Sequence, residues 1–222
     1  MIHLENLTKY FRTRKGYQTI VENLTATFPT GKSVALLGRN GAGKSTLLKL
    51  IAGTIRPTAG RVMSTGSVSY PVGFAGSFHN DLTGAQNTRF VARLYGYDTD
   101  RLLEFVEDFA ELGEHFHMPM RTYSSGMRSR LSFGVSMGIP FDTYLVDEVT
   151  AVGDGASRSK SVAIFDDRMK RSGAVFITHS PEMVRRMCTM AAVLEHGKLT
   201  FFEDIEEALA LHEHHLKLPP HP

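Results

Sequence analysis

The 222-residue chain contains a single cysteine, Cys188. No intrachain disulfide can form, which points to a reducing compartment, and Cys188 itself reads as a small apolar filler. No stretch approaches the ~18 consecutive apolar residues of a membrane-spanning helix. The start, Met1-Ile2-His3-Leu4-Glu5, lacks the basic and apolar regions of a signal peptide. A net charge of only +2 argues against a broad nucleic-acid-binding surface, and no nucleic acid is expected as a partner. Internal repeats, low-complexity tracts and linkers are missing too. What is present is ordinary for a soluble globular chain, 42% hydrophobic and 22% charged, and long enough to bury one sizeable core.

One stretch departs from the ordinary: Gly38-Arg39-Asn40-Gly41-Ala42-Gly43-Lys44-Ser45-Thr46. The apolar run Val34–Leu37 before it reads as a buried strand. Leu47-Leu48-Lys49-Leu50-Ile51 after it has the spacing of a helix packed on a sheet. Strand, glycine-rich turn and helix together are the context of the G-x-x-x-x-G-K-[ST] phosphate loop. The glycines let several N–H groups converge on one anion, and the helix start adds the positive end of its dipole. Lys44 then neutralises β/γ-phosphate charge and the Ser45 hydroxyl holds Mg²⁺. A nucleoside triphosphate is the expected ligand.

In chain order, Ile2–Phe11 and Thr19–Phe28 read as strands on either side of a basic turn. Gly60 opens a short strand pair through Val62 and Val68–Tyr70. From about residue 75 the pattern turns helical. Thr83–Tyr95 carries Phe90, Val91 and Leu94 on one face; Asp98–Leu112 and Tyr123–Gly138 follow. After Pro140 strands and helices alternate: Thr143–Val146, Ser157–Arg171, Ala174–Thr178 and a helix begun by Pro181. A hairpin about His196-Gly197 and a terminal helix capped by Asp204 complete an α/β pattern with a largely parallel sheet.

Two strand ends carry further chemistry. Tyr144-Leu145-Val146 delivers Asp147 and Glu148 to the carboxyl edge of the sheet, where ligands of α/β folds sit. Asp147 suits Mg²⁺ ligation, and Glu148 suits orienting or deprotonating a water in line with the γ-phosphate. Val175–Thr178 brings His179 to the same edge, where its imidazole can hydrogen-bond the γ-phosphate. The histidines of the tail, His212, His214, His215 and His221, lack strict metal-ligand spacing and read as a solvated helix end.

These residues resemble the ATP-binding-cassette (ABC) ATPases over nearly the whole chain. The family signature LSGGQ is matched by Tyr123-Ser124-Ser125-Gly126-Met127, between the phosphate loop and the Asp-Glu strand. The resemblance implies a P-loop ABC-type α/β nucleotide-binding domain with an N-terminal antiparallel β-subdomain and a helical insert. As one domain spanning 1–222, it would divide into a core plus β-subdomain at about 1–74 and 140–222, and a helical part at about 75–139. It implies ATP and Mg²⁺ as cofactors, and a head-to-tail dimer with a second copy in which Ser124 and Gly126 serve the opposite chain's ATP. Ser125 and Met127 replace the family's glycine and glutamine. Phe11 aligns with the aromatic that stacks on adenine, with Tyr10 in reserve, and Asp154 with the aspartate that crosses the dimer interface. His179 aligns with the family's switch histidine. The family's glutamine after the next strand is missing from Val68–Ser77; His79 is the nearest substitute, whereas Gln86 falls inside a helix.

Longer matches narrow the resemblance. Ser69–Gly76, Leu82-Thr83-Gly84, Phe90–Tyr95, Thr122–Leu131 and Val146–Asp154 are similar to the ATPase subunits of capsular polysaccharide exporters, with O-antigen and teichoic acid exporters as relatives. This implies transmembrane permease subunits docking on Phe74–Tyr95, periplasmic and outer-membrane export partners, and a peripheral place on the cytoplasmic face of the inner membrane. Non-transport cassettes acting on DNA or ribosomes carry coiled coils or paired cassettes that this chain lacks. A phosphoryl-transfer kinase is disfavoured by the signature.

Overall fold

Strands β1 (Ile2–Thr13) and β2 (Gly16–Phe28) form a long antiparallel hairpin. The computed structural model describes residues 1–14, 16–73, 78–148 and 155–217. Alternation along β1 buries Ile2 and Leu4, then skips to Leu7. The skip is a bulge at Asn6, whose φ of 46° breaks the two-residue period and lets Leu7 rejoin the core. Asn23 (φ 48°) does the same on β2.

Strand β4 (Ala59–Ser64) adds to the free edge of β1, and β5 (Val68–Pro71) belongs to a different sheet. The expected pairing of these two neighbours is therefore corrected. β5 instead runs parallel to β6 (Thr143–Asp147), fixed by the Ser69 hydroxyl, which accepts from Leu145 N–H at 2.9 Å. Asp142 adds to this by accepting from the Ser67 N–H and hydroxyl at 2.8 and 2.7 Å. Both contacts span some 75 residues, out of reach of a local pattern.

The second sheet runs β5-β6-β7-β3-β8-β9, with β3 (Ser33–Leu37), β7 (Gly173–Ile177), β8 (Met190–Glu195) and β9 (Lys198–Phe202). All neighbours are parallel except β8 and β9, which pair antiparallel about His196 and Gly197, both at positive φ. β3 and β7 are buried along their full length, as expected of apolar strands covered on both faces. Helices α1 (Lys44–Ile51), α6 (Pro181–Met187) and α7 (Ile205–Lys217) belong with these sheets.

By contact, the chain divides into one unit of Met1–Pro71, Phe141–Glu148 and Arg171–Pro222, and another of Val72–Pro140 and Val149–Lys170. The second unit holds α2 (Gly84–Leu94), α3 (Thr99–Ala110), α4 (Ser125–Gly138) and α5 (Gly155–Arg171). Segment 149–170, grouped with the core in the sequence reading, clusters here. Phe165 packs near Phe133, and Arg168 Nε donates to the Met137 carbonyl at 2.8 Å. α4 turns Gly134 toward α3 so closely that an added Cβ would lie 2.7 Å from the Phe109 ring. Two 3-10 turns, Gly113–His117 and Met120–Thr122, precede α4 and were not foreseen. The face assigned to α2 also needs correction: Val91 is buried, but Phe90 and Leu94 are 52% and 63% exposed. Among the described residues no helix is long and apolar enough to cross a membrane.

Candidate active site

The parallel strands β3, β6 and β7 end at one edge of the sheet, with β3 between β7 and β8. Gly38 leaves β3 against the end of β8, where an added Cβ would stand 2.5 Å from the Leu194 carbonyl. Gly43, at φ 101°, caps α1 in the left-handed region, and a side chain there would strike Ile20 of β2. Both positions thus require glycine, for space and for backbone conformation.

An open cavity of about 530 Å³ lies at this edge. Its lining includes Phe11, Asn40, Gly41, Gly43, Lys44, Ser45, Thr46, Glu148 and His179. Ala42 belongs to the same loop, its N–H donating to the Arg39 carbonyl at 3.1 Å. Phe11 has the Lys9 ammonium 4.8 Å from its ring centre. Tyr10, on the opposite face of β1, makes an edge contact with Tyr17 instead.

Lys44 is 8% exposed, and its Nζ donates to the carbonyls of Gly38 (2.6 Å) and Arg39 (3.1 Å). Burial holds its ammonium below the ordinary lysine range, and the Glu148 and Asp147 carboxylates oppose that shift. The lysine is thereby poised over the loop with two carboxylates in electrostatic reach, a setting that favours an incoming polyanion and its counter-cation. Ser45 is exposed to the cavity, and Asp147 ends β6 beside Ile177. A hydroxyl and a carboxylate are the hard oxygen donors that suit Mg²⁺.

Glu148 follows β6 at φ 52°, unusual for a side chain of its size, while its N–H donates to the Ile177 carbonyl at 2.9 Å. That conformation brings its Oε1 to 3.0 Å from His179 Nε2. Both side chains are more than half exposed, so the pair contributes little to stability. Both residues line the cavity together with Lys44 and Ser45.

The other sequence-derived residues belong to the helical unit. Ser124 caps α4, its hydroxyl accepting from Met127 N–H at 3.2 Å. Gly126 is exposed, and an added Cβ there would meet only the Ser124 hydroxyl, at 3.9 Å. His79 is exposed, its Nδ1 accepting from Asp81 N–H at 3.2 Å. Gln86 completes a capping box with Thr83. Asp154 lies outside the described residues.

Sequence reasoning missed two groups. Asn87 is buried and ties down the preceding loop together with Met120 and Arg121, whose N–H groups donate to the Leu82 and Asn80 carbonyls. The Asn87 amide donates to the carbonyls of His79, Leu82 and Thr83, and its oxygen accepts from His79 N–H. A polar residue on the inner face of α2 was the available signal. Arg39, His215 and Glu195 are the second group, with no local signal at all.

The profile of the ABC transporter family matches residues 21–151. The chain belongs to that family. Among curated relatives, this ABC chain is 47% identical to the polysialic acid transport ATP-binding protein KpsT of Escherichia coli, over 94% of this chain and 95% of that protein. It is 41% identical to the capsule polysaccharide export ATP-binding protein CtrD of Neisseria meningitidis serogroup B, over 99% and 100% of the two. In fold the ABC chain is similar to a dimeric ATP-binding cassette bound to ADP and Pi, with a TM-score of 0.69 at 20% identity, over 90% of this chain and 96% of that one.

Proposed function

We propose that this chain is the ATP-hydrolysing subunit of an inner-membrane exporter of capsular polysaccharide. The observation that carries the reading is identity of 41–47%, over nine-tenths or more of both chains, to proteins named for polysialic acid transport and capsule export. In this reading the backbone of Asn40–Thr46 and the Lys44 ammonium bind the phosphates of ATP, and Phe11 stacks on adenine. Ser45 and Asp147 hold Mg²⁺, which when bound neutralises phosphate charge. Glu148 orients and deprotonates the attacking water, and His179, paired with it at 3.0 Å, holds the γ-phosphate side.

The second half of each site comes from a second copy, head to tail: Ser124 and Gly126 present the start of α4 to the partner's ATP, and Asp154 crosses the interface. Phe90 and Leu94, one turn apart and exposed, offer an apolar surface for the transmembrane permease on the cytoplasmic face of the membrane. Periplasmic and outer-membrane components continue the export path. His79 takes the place of the family's missing glutamine, and His79→Ala should lower ATPase activity or uncouple it from export.

The test is loss of the gene in its host. Polysaccharide should accumulate inside the cell, and the native chain, but not Glu148→Gln, should restore it to the surface. Normal surface polysaccharide in the deletion strain would refute the reading.

A further inference from the structure

Arg39 is the second residue of the phosphate loop, but it is not among the residues lining the cavity. Its Nη1 donates to the backbone carbonyl of His215, in the last turn of α7, at 3.0 Å. Its own carbonyl accepts from Lys44 Nζ at 3.1 Å. One residue therefore joins the end of the terminal helix to the lysine that receives phosphate.

The helix end is itself anchored. His215 Nδ1 lies 2.9 Å from Glu195 Oε2, the two side chains being 16% and 30% exposed. Glu195 closes β8, whose preceding residue presses on Gly38. At the other end of α7, Arg185 grips Glu206 through two bonds of 2.6 and 2.9 Å. The carbonyls of a helix's last turn have no partner within the helix and carry its negative end. A guanidinium placed there is favourable, and this one comes from the phosphate loop. His212, one turn earlier, has a buried Nδ1 without a hydrogen-bond partner among the described residues. Burial holds its imidazole below the usual range, helped by the Lys44 and His179 charges nearby.

We infer that α7 clamps the phosphate loop and that Arg39 is a positioning residue, setting the posture of Lys44 through the helix end rather than by touching nucleotide. The inference rests on the reading that this loop binds ATP. Coupling of this kind is reciprocal: if docking of α7 tightens ATP binding, ATP binding must tighten docking of α7.

The full chain tests this with a non-hydrolysable ATP analogue, following affinity, turnover and amide exchange in α7. Arg39→Ala should weaken analogue binding roughly tenfold, within the range seen for coupled sites. Its kcat at saturating ATP should be much less affected. In the native chain the analogue should slow exchange in the last turn of α7, and in Arg39→Ala that protection should vanish. Arg39→Gln, uncharged and shorter but still a donor, should recover part of the affinity. His215→Ala, which frees the helix end from Glu195, should weaken binding in the same direction and add little to Arg39→Ala.

Native affinity in Arg39→Ala overturns the inference. So does full additivity with His215→Ala combined with failure of glutamine to rescue, since Arg39 would then act on the nucleotide directly. If Arg39→Ala does not fold, Arg39→Gln and the exchange measurement on the native chain decide the matter. Failure of the native chain to bind the analogue would strike the ATP reading instead.

Discussion

The phosphate loop before α1 and the start of α4 are both helix N-termini bearing serine and glycine, yet their surroundings differ. At the first, every neighbour is in place: Lys44 is buried, Gly38 and Gly43 abut β8 and β2, and Glu148 and His179 close one side. At the second, Ser124, Ser125 and Gly126 are exposed, and the space above Gly126 holds only the Ser124 hydroxyl. Both can present N–H groups to an anion. The first lies in a cavity lined by the buried Lys44, by Glu148 and by His179. The contrast is the one the proposed head-to-tail dimer requires, in which α4 would supply half a site to the partner copy.

The sharpest way to break this contrast is Glu148→Gln. Removing a general base costs 10²–10⁴ in rate, so phosphate release should fall at least a hundredfold while a fluorescent ATP analogue still binds. Retained hydrolysis would take Glu148 out of the reaction.

Next is Gly126→Asp. Open space at Gly126 means that the chain should fold and bind ATP as a monomer. A carboxylate facing phosphate should nevertheless suppress ATP-dependent dimerisation, read by light scattering, and reduce ATPase activity more than tenfold, since a like-charge contact costs several kcal/mol. Normal dimerisation would show that α4 does not meet nucleotide.

Asn87→Ala probes how the helical unit holds its loop. Three half-buried carbonyls lose one donor each and keep a backbone one, at a cost of about 1–2 kcal/mol. For a chain of this size that lowers Tm by roughly 2–8 °C. Analogue affinity, which depends on the other unit, should be unchanged. Equal melting temperatures would show that the loop is held by other contacts.

The smallest effect concerns Cys188. Burial pushes its thiol up to about 12, so at pH 8 it stays protonated and resists alkylation in the folded chain. Unfolding returns it toward its ordinary value, and labelling by iodoacetamide should then proceed. Rapid labelling of the native protein at pH 8 would contradict the burial.

Much of this is legible in the amino-acid sequence. The phosphate loop, the Asp147-Glu148 pair, His179 and the cap at Ser124 are each encoded within a few consecutive residues. Loop, strand end and helix start are local structures driven by glycine conformation, apolar runs and capping side chains. Assigning Phe90 and Val91 to one face failed because an apolar residue on a helix need not be buried. Pairing β4 with β5 failed because proximity in sequence is only a default, overridden by Ser67–Asp142 and Ser69–Leu145 contacts.

Composition and local pattern were enough to dictate which segments become strands and helices, and which side chains reach the carboxyl edge of the parallel sheet. Tertiary structure alone decided that β3 lies between β7 and β8, that Asn87 holds the loop at His79, and that Arg39 meets the end of α7 across 176 residues. The physical reason is the same in each case. Those contacts depend on which distant surfaces pack together, and a hydrogen bond between remote residues leaves no periodicity in the chain that makes it.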